Sequence, residues 1–263
     1  MRIIVCLKQV PNTNEVRINQ ETGTLIRDGV PSIMNPDDKN ALEEALRIKD
    51  EHGAEVIAIS MGPQQAKDIL KEALAMGADD AVLITDRAFG GSDTWATATV
   101  LAAAIEKIGD YDIVFCGRQA IDGDTAQVGP EIAEFLDLPQ VTYVNDIKVK
   151  NNSLNVSRFT EYGEYIFSVD TPVLLTAIKE LNIPRYPTIK GILTAYDDEE
   201  NVKIFTFNDL DVDPTQIGLK GSPTNVYKSF VPVKDKQSEM IEGTSSKEKA
   251  KTLIMKLSEL HLV

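Results

Sequence analysis

The chain has 263 residues, 43% of them hydrophobic, and its 41 acidic against 27 basic side chains give a net charge of −14. That length fits one large domain, or one domain with an extension. The charge argues against a general nucleic-acid binder, which needs a basic face, and against adhesion to anionic membranes.

The elements read in chain order. RIIVCLKQV (2–10) is a buried strand pattern, and residues 16–27 read as a β-hairpin turning at Gly23. Asn35, Pro36, Asp37 and Asp38 form a helix start, with proline in the first turn and acids at the positive end of the dipole. A helix follows through His52, then a strand over 54–62 and a helix over 63–77. A third strand covers 80–86, a third helix 94–108, and a fourth strand 111–117. The next helix is expected from about Thr125 to Leu136. Alternation at these lengths predicts an α/β fold, doubly wound, with a mainly parallel sheet.

After Pro139 the pattern changes. VTYVNDIKVK, SLNVSRFTEYGEYIFSVD and PVLLTAI read as antiparallel strands that close the sheet. The chain thus divides into an α/β nucleotide-binding domain over 1–183 and an extended arm over 184–263. The arm holds five prolines and ends in a helix with a capping box from Ser245 to Glu248. Its apolar stripe (Ala250, Leu253, Ile254, Leu257, Leu260) predicts wrapping around a partner protein; folding back onto the domain is the alternative.

Cys6 and Cys116 sit in apolar strand-like runs and read as reduced thiols near a core. The two histidines, His52 and His261, lie in polar helix-like contexts, which removes histidine zinc sites and Ser-His-Asp triads. No apolar run reaches 18 residues, and Met1 leads straight into a strand, so the expected location is cytoplasmic, with no membrane insertion.

Parallel sheets hold ligands at the carboxyl ends of their strands. Four segments should converge there: Cys6 to Lys8, Ser60 to Gly62, Asp86 to Thr94 and Gly117 to Pro130. In GRQAIDGDTAQVGP (117–130), the first amides of the following helix lack internal partners and can bind phosphate. Gly123, Thr125, Ala126 and Gly129 admit a ligand to the backbone, while Thr125 and Gln127 add donors. Asp122 and Asp124 either accept bonds from a ribose or flavin edge or cap the helix; a well-capped surface loop is the bland alternative. FGGSDTWAT (89–97) offers the same cradle and is superficially similar to the SGG-x-DS loop of ATP pyrophosphatases, which follows a first strand, whereas this one follows the third. No GxGxxG follows the first strand and no GxxxxGK[ST] occurs, against an ordinary Rossmann dehydrogenase or P-loop NTPase. No nucleophile–base pair or acid–base carboxylate pair stands out. Nucleotide grips without catalytic side chains suit a protein whose chemistry belongs to a bound cofactor.

The ordered segments CLKQVPN, VPSIMNPDDKNALEEALRIK, ISMGP, ALAMGAD, GRQAIDGDTAQVGPEIAEFLDLPQVTYV and NIPRYPT resemble the β subunit of electron transfer flavoproteins over essentially the whole chain. VSRFTEYGEYIFSVDTPVLLTA resembles the family signature, with Tyr162 where Gly or Asp is common. The resemblance implies an adenine-nucleotide-binding (HUP-like) sheet with antiparallel additions and a C-terminal arm. It implies a heterodimer with an α subunit that carries one FAD. It places nucleotide binding on Cys6, on Asn35, Pro36, Asp37 and Asp38, on Met61, and on Asp122, Gly123, Asp124, Thr125, Ala126, Gln127, Val128 and Gly129.

Ordinary members hold a structural AMP in the β subunit; electron-bifurcating members hold a second FAD with NAD beside it. The GDTAQVGP spelling and the FGGSDTWAT loop resemble the bifurcating group, so FAD and NAD are expected, with NAD contacts at Gly90, Gly91, Asp93 and Thr94. AMP in place of the β-subunit FAD is the alternative, and a FixA-like relative serving quinone-linked dehydrogenases is another. In the bifurcating scheme NADH reduces the β-subunit FAD, one electron goes to ferredoxin or flavodoxin, and the other crosses to the α-subunit FAD and on to an acyl-CoA type dehydrogenase. PRYPTIKGIL resembles the loop that docks that dehydrogenase, through Pro184, Arg185, Tyr186 and Ile189. A universal-stress type nucleotide module, the remaining class, has no use for such an arm.

Overall fold

In the first strand Ile3 and Val5 face one side of the sheet, Ile4 and Cys6 the other, and all four are buried. A strand with no solvent face belongs in the middle of a sheet covered on both sides. The computed structural model, which describes residues 1–12, 17–18, 25–26, 31–150, 153–197, 200–227 and 238–263, puts it there.

In chain order, β1 (Arg2–Cys6), β2 (Gln9–Pro11), β3 (Arg17–Ile18), β4 (Leu25–Ile26) and β5 (Ser32–Met34) precede α1 (Pro36–His52). Then β6 (Glu55–Met61), α2 (Lys67–Met76), β7 (Asp80–Ile84), α3 (Thr94–Ile108), β8 (Ile113–Gly117) and α4 (Val128–Phe135) alternate. β9 (Gln140–Lys150), β10 (Ser153–Thr160), β11 (Gly163–Asp170) and β12 (Val173–Ala177) follow, then α5 (Ile189–Asp197), β13 (Lys203–Phe205), α6 (Gly218–Gly221) and α7 (Ser246–Glu259). β3 and β4 pair antiparallel, as the hairpin reading expects; Gly23 lies outside the described residues.

The large sheet runs β11-β10-β9-β12-β8-β1-β6-β7-β13. β1 is parallel to β6 and β8, and α1 and α2 cover one face with Leu42, Leu46 and Leu70. Leu101 and Ile105 of α3 and Ile132 of α4 cover the other. The fold is therefore α/β and doubly wound, with antiparallel additions at β10 and β11. The chain winds outward from β1 to β7, and α3 returns it to β8 on the other side of β1. The carboxyl ends of β1 and β8 flank this reversal, the place where open sheets hold ligands.

One strand differs from expectation. PVLLTAI was to close the sheet antiparallel, but β12 lies between β8 and β9 and is parallel to both. All five of its residues are buried, as an interior parallel strand covered on both faces requires. β9 pairs with β12 through its first residues and with β10 through its later ones, and Tyr143, at φ +59°, marks the changeover.

The first compact unit continues past the expected boundary at 183 to Tyr227. Within 184–227, β13 joins β7 as a parallel edge strand and α5 packs on α2. Residues 228–263 form a second unit. In it, Ser245 caps α7 by accepting from the Glu248 amide at 3.3 Å. The Glu248 carboxylate accepts from the amide and hydroxyl of Thr244 (2.8 and 2.6 Å), one residue before the partner a capping box would give it. Leu253, Ile254 and Leu260 are exposed.

Candidate cofactor-binding cleft

A cleft of about 530 Å³ opens at the carboxyl ends of β1, β6 and β8. All four expected segments line it: Cys6, Met61, Gly91 to Thr94, and the run from Gly117 to Gly129 except Ile121. Asp38 contributes to its floor, whereas Asn35, Pro36, Asp37 and Gly90 do not line it.

Asp38 is the junction of that floor. Its Oδ2 accepts from the Lys8 amide at 2.7 Å, and its Oδ1 accepts from the Gly117 amide at 3.1 Å and from Asn35 Nδ2 at 3.0 Å. One carboxyl thus ties the start of α1 to the ends of β1 and β8. Burial pushes its pKa up to about 7, against the lowering effect of those three hydrogen bonds. Beside it, Cys6 and Cys116 are free and buried. The contact with the Cys6 thiol, then burial, push the Cys116 thiol well above its ordinary value, so it is an unreactive protonated thiol.

Asn35 works from beneath. It is fully buried and does not cap α1; its Nδ2 donates to the Gln119 carbonyl at 2.9 Å and its Oδ1 accepts from the Ile121 amide at 3.1 Å. It braces the 117–130 loop and presents no side-chain atom to the cleft. Asp37, half-buried, lies 3.4 Å from Arg118 Nε; burial raises its pKa and Arg118 opposes that rise.

The acids of that loop are already satisfied within the chain. Asp122 takes an ion pair from Lys8 Nζ at 2.6 Å, and Asp124 accepts from Gln119 Nε2. α4 begins at Val128, three residues later than expected, because Asp124 and Ala126 adopt left-handed φ values of +56° and +54°. Its N-cap residue, Gln127, makes no side-chain capping bond. The first amides of α4 therefore stand at the cleft wall without a capping side chain, and a Cβ at Gly123 would meet nothing within 4 Å. Uncapped amides, open backbone and carboxylates already engaged within the chain fit a phosphate-bearing cofactor.

The second loop is more committed to its own chain. Asp93 caps α3 through the Ala96 amide (3.0 Å) and accepts from the amide and hydroxyl of Thr224 at 2.9 and 2.7 Å. Desolvation raises its pKa, but these hydrogen bonds outweigh it and hold the carboxyl below its ordinary value. The Thr94 hydroxyl donates to Glu131 Oε1 at 3.1 Å, joining α3 to α4. The room at Gly91 (φ +77°) is taken on one side by Leu219, whose Cβ would lie 3.0 Å from a Cβ there.

Lys8 is the residue that sequence reasoning left out: its strand end was placed at the cleft, but its ion pair with Asp122, 114 positions away, has no local signature. Arg118, lining the cleft beside the Tyr143 ring, was likewise given no role. The proposed docking residues lie elsewhere. Arg185 is clamped by Glu43 (2.9 and 3.2 Å) and Asp50 (2.8 Å), Pro184 lines a separate smaller cavity, and Tyr186 and Ile189 are 92% and 81% exposed.

A family model described as the electron transfer flavoprotein domain matches residues 22–204. The chain is 60% identical over 263 residues, the full length of both, to an electron transfer flavoprotein subunit beta from Thermoanaerobacterium thermosaccharolyticum. The chain belongs to the electron transfer flavoprotein β-subunit family. Another full-length relative of this family, 54% identical, is the caffeyl-CoA reductase-Etf complex subunit CarD of Acetobacterium woodii. The acryloyl-CoA reductase electron transfer subunit gamma of Anaerotignum propionicum is 49% identical, again over the whole of both chains. Family membership makes this an electron-transfer protein, and among the described residues no helix is long and apolar enough to cross a membrane.

Proposed function

We propose that this chain is the β subunit of a heterodimeric electron transfer flavoprotein that binds FAD and NAD(H) in the cleft. In this reading it passes electrons by bifurcation from NADH to ferredoxin or flavodoxin and to an acyl-CoA type dehydrogenase. The carrying observation is that the acids of the 117–130 loop are engaged within the chain, Asp122 by Lys8 and Asp124 by the Gln119 side-chain amide, while the α4 amides at the cleft wall are uncapped. Relatives named for caffeyl-CoA and acryloyl-CoA reductase complexes support the choice of electron acceptor.

When bound, such a flavin takes two electrons as hydride from NADH and passes them on singly. The chain's own part is to hold and to exclude water. Val128 and Gly129 amides, Thr125 and Gln127 grip phosphate; Asp38 and Asn35 fix the loop that presents them. Gly91, Asp93 and Thr94 shape the nicotinamide end. Tyr186 and Ile189 meet the dehydrogenase, and residues 228–263 seat on the α subunit.

One observation favours a smaller ligand, AMP: Leu219 occupies space beside Gly91. Counting released flavin in the purified αβ complex separates the two readings. Two FAD per heterodimer are expected; one FAD with stoichiometric AMP overturns the bifurcating assignment.

A further inference from the structure

The segment from Asn182 to Arg185 is tied to α1. Asn40, buried in that helix, donates through Nδ2 to the Asn182 carbonyl (2.8 Å) and to its Oδ1 (3.0 Å). Asn182 donates in return through its own Nδ2, to the Asn40 carbonyl at 3.0 Å and to Glu44 Oε2 at 2.9 Å. The buried Glu43 carboxylate accepts from the Arg185 amide at 2.9 Å, besides gripping its guanidinium. A fully matched polar network of this kind specifies one arrangement of the groups that make it. Beyond the clamp, apolar side chains face outward. Tyr186, Ile189 and Leu193 are exposed, and Ile189 and Leu193 stand four residues apart on one side of α5. Gly191, on the opposite side, is pressed onto α2: a Cβ there would fall 2.2 Å from the Ala75 carbonyl oxygen. The Gly191 amide also donates to Thr188 Oγ1 at 2.9 Å, which fixes the first turn of α5. The exposed ridge is thus pinned at two places, on α1 and on α2. α1 is also the helix whose Asp38 floors the cleft, two positions before Asn40.

We infer that Asn182 and Gly191 are positioning residues: they hold the ridge Tyr186–Leu193 in one place relative to the cofactor cleft, ready for a docking dehydrogenase. The inference rests on the reading of that segment as the docking surface. Asn182 points into α1 and Gly191 has no side chain, so neither adds to the apolar ridge. Their effect is preorganisation: a surface already ordered binds without the entropy cost of immobilising it.

Electron transfer from the intact αβ complex to a purified short-chain acyl-CoA dehydrogenase tests it, together with amide exchange over residues 185–193 and released-flavin content. Asn182→Asp sets a second carboxylate against Glu44. It should speed exchange at the Arg185 amide and raise KM for the dehydrogenase, each about tenfold, the equivalent of one charge-assisted hydrogen bond. The kcat and flavin content should stay as in the natural chain. Adding Glu44→Gln returns a donor to the new carboxylate and should recover most of both. Gly191→Ala, which must lift α5 off α2, should raise KM likewise. Arg185 exchange that is unchanged in Asn182→Asp, or not recovered by Glu44→Gln, overturns the inference. So does a KM that ignores Asn182→Asp and Gly191→Ala while Ile189→Ala raises it. A KM that ignores Ile189→Ala as well sinks the docking reading itself, and the inference with it.

Discussion

Asp38 Oδ1 accepts a hydrogen bond from the Gly117 amide, and the same oxygen stands 2.2 Å from where a Cβ on Gly117 would be. The end of β8 and the first turn of α1 are in van der Waals contact at the floor of the cleft, with no room for a methyl group. Gly117→Ala should therefore destabilise the chain by about 1–3 kcal/mol, the usual range for overpacking a filled site. Urea midpoints measure this, and an unchanged midpoint would refute the close contact.

Asp38 also predicts a pH dependence. Its pKa rises from 3.8 to about 7 on folding, so between these values the folded chain binds more protons than the unfolded one. Stability from this group is complete below about pH 4 and is lost as pH rises through 7. The stability of the natural chain minus that of Asp38→Asn should shrink between pH 5 and pH 8. A difference that stays constant would mean Asp38 is ionised throughout.

Asn35→Ala removes the brace beneath the loop and strands the part-buried Gln119 carbonyl and Ile121 amide. A cost of about 1 kcal/mol follows from losing two part-buried hydrogen bonds whose groups water can partly reach. Exchange at the Ile121 amide should accelerate, and cofactor retention should fall although no cofactor-facing atom has changed. Retention equal to that of the natural chain would count against a bracing role.

Much of this was legible in the sequence, because the signals were local. Each strand–helix alternation came from apolar periodicity, and Pro36 and Gly77 marked helix ends where helices end. What escaped was long-range. β12 reads alone as any short apolar strand, and only its neighbours β8 and β9 make it parallel. The expected start of α4 is too early because Asp124 and Thr125 spell good helix-capping chemistry, whereas the backbones of Asp124 and Ala126 are left-handed. The glycines of FGGSD suggested ligand space, and Gly91 is in part space for Leu219.

Arg185→Ala should loosen the Pro184–Leu193 segment. It leaves Glu43, only 5% exposed, with Arg47 at 3.5 Å as its remaining cation. Arg185 itself is partly solvated, so the loss is about 1–2 kcal/mol rather than that of a fully buried pair. Arg185→Lys keeps the charge but not the two-point contact with Glu43 and should recover only part. Faster proteolysis near Tyr186 in the alanine variant is the accompanying sign; equal cleavage would show that the clamp does not restrain the loop.

The pairing of Lys8 with Asp122, and of Asp124 with Gln119, has an ionic consequence. A site that grips through amide dipoles, with Lys8 and Arg118 paired to carboxylates of the chain, does not rely on a free cation that salt could screen. Salt weakens clamps made of free lysines by screening them. Here added salt should leave retention of a phosphate-bearing cofactor nearly flat, even though the molecule as a whole is strongly anionic and would otherwise repel such a ligand.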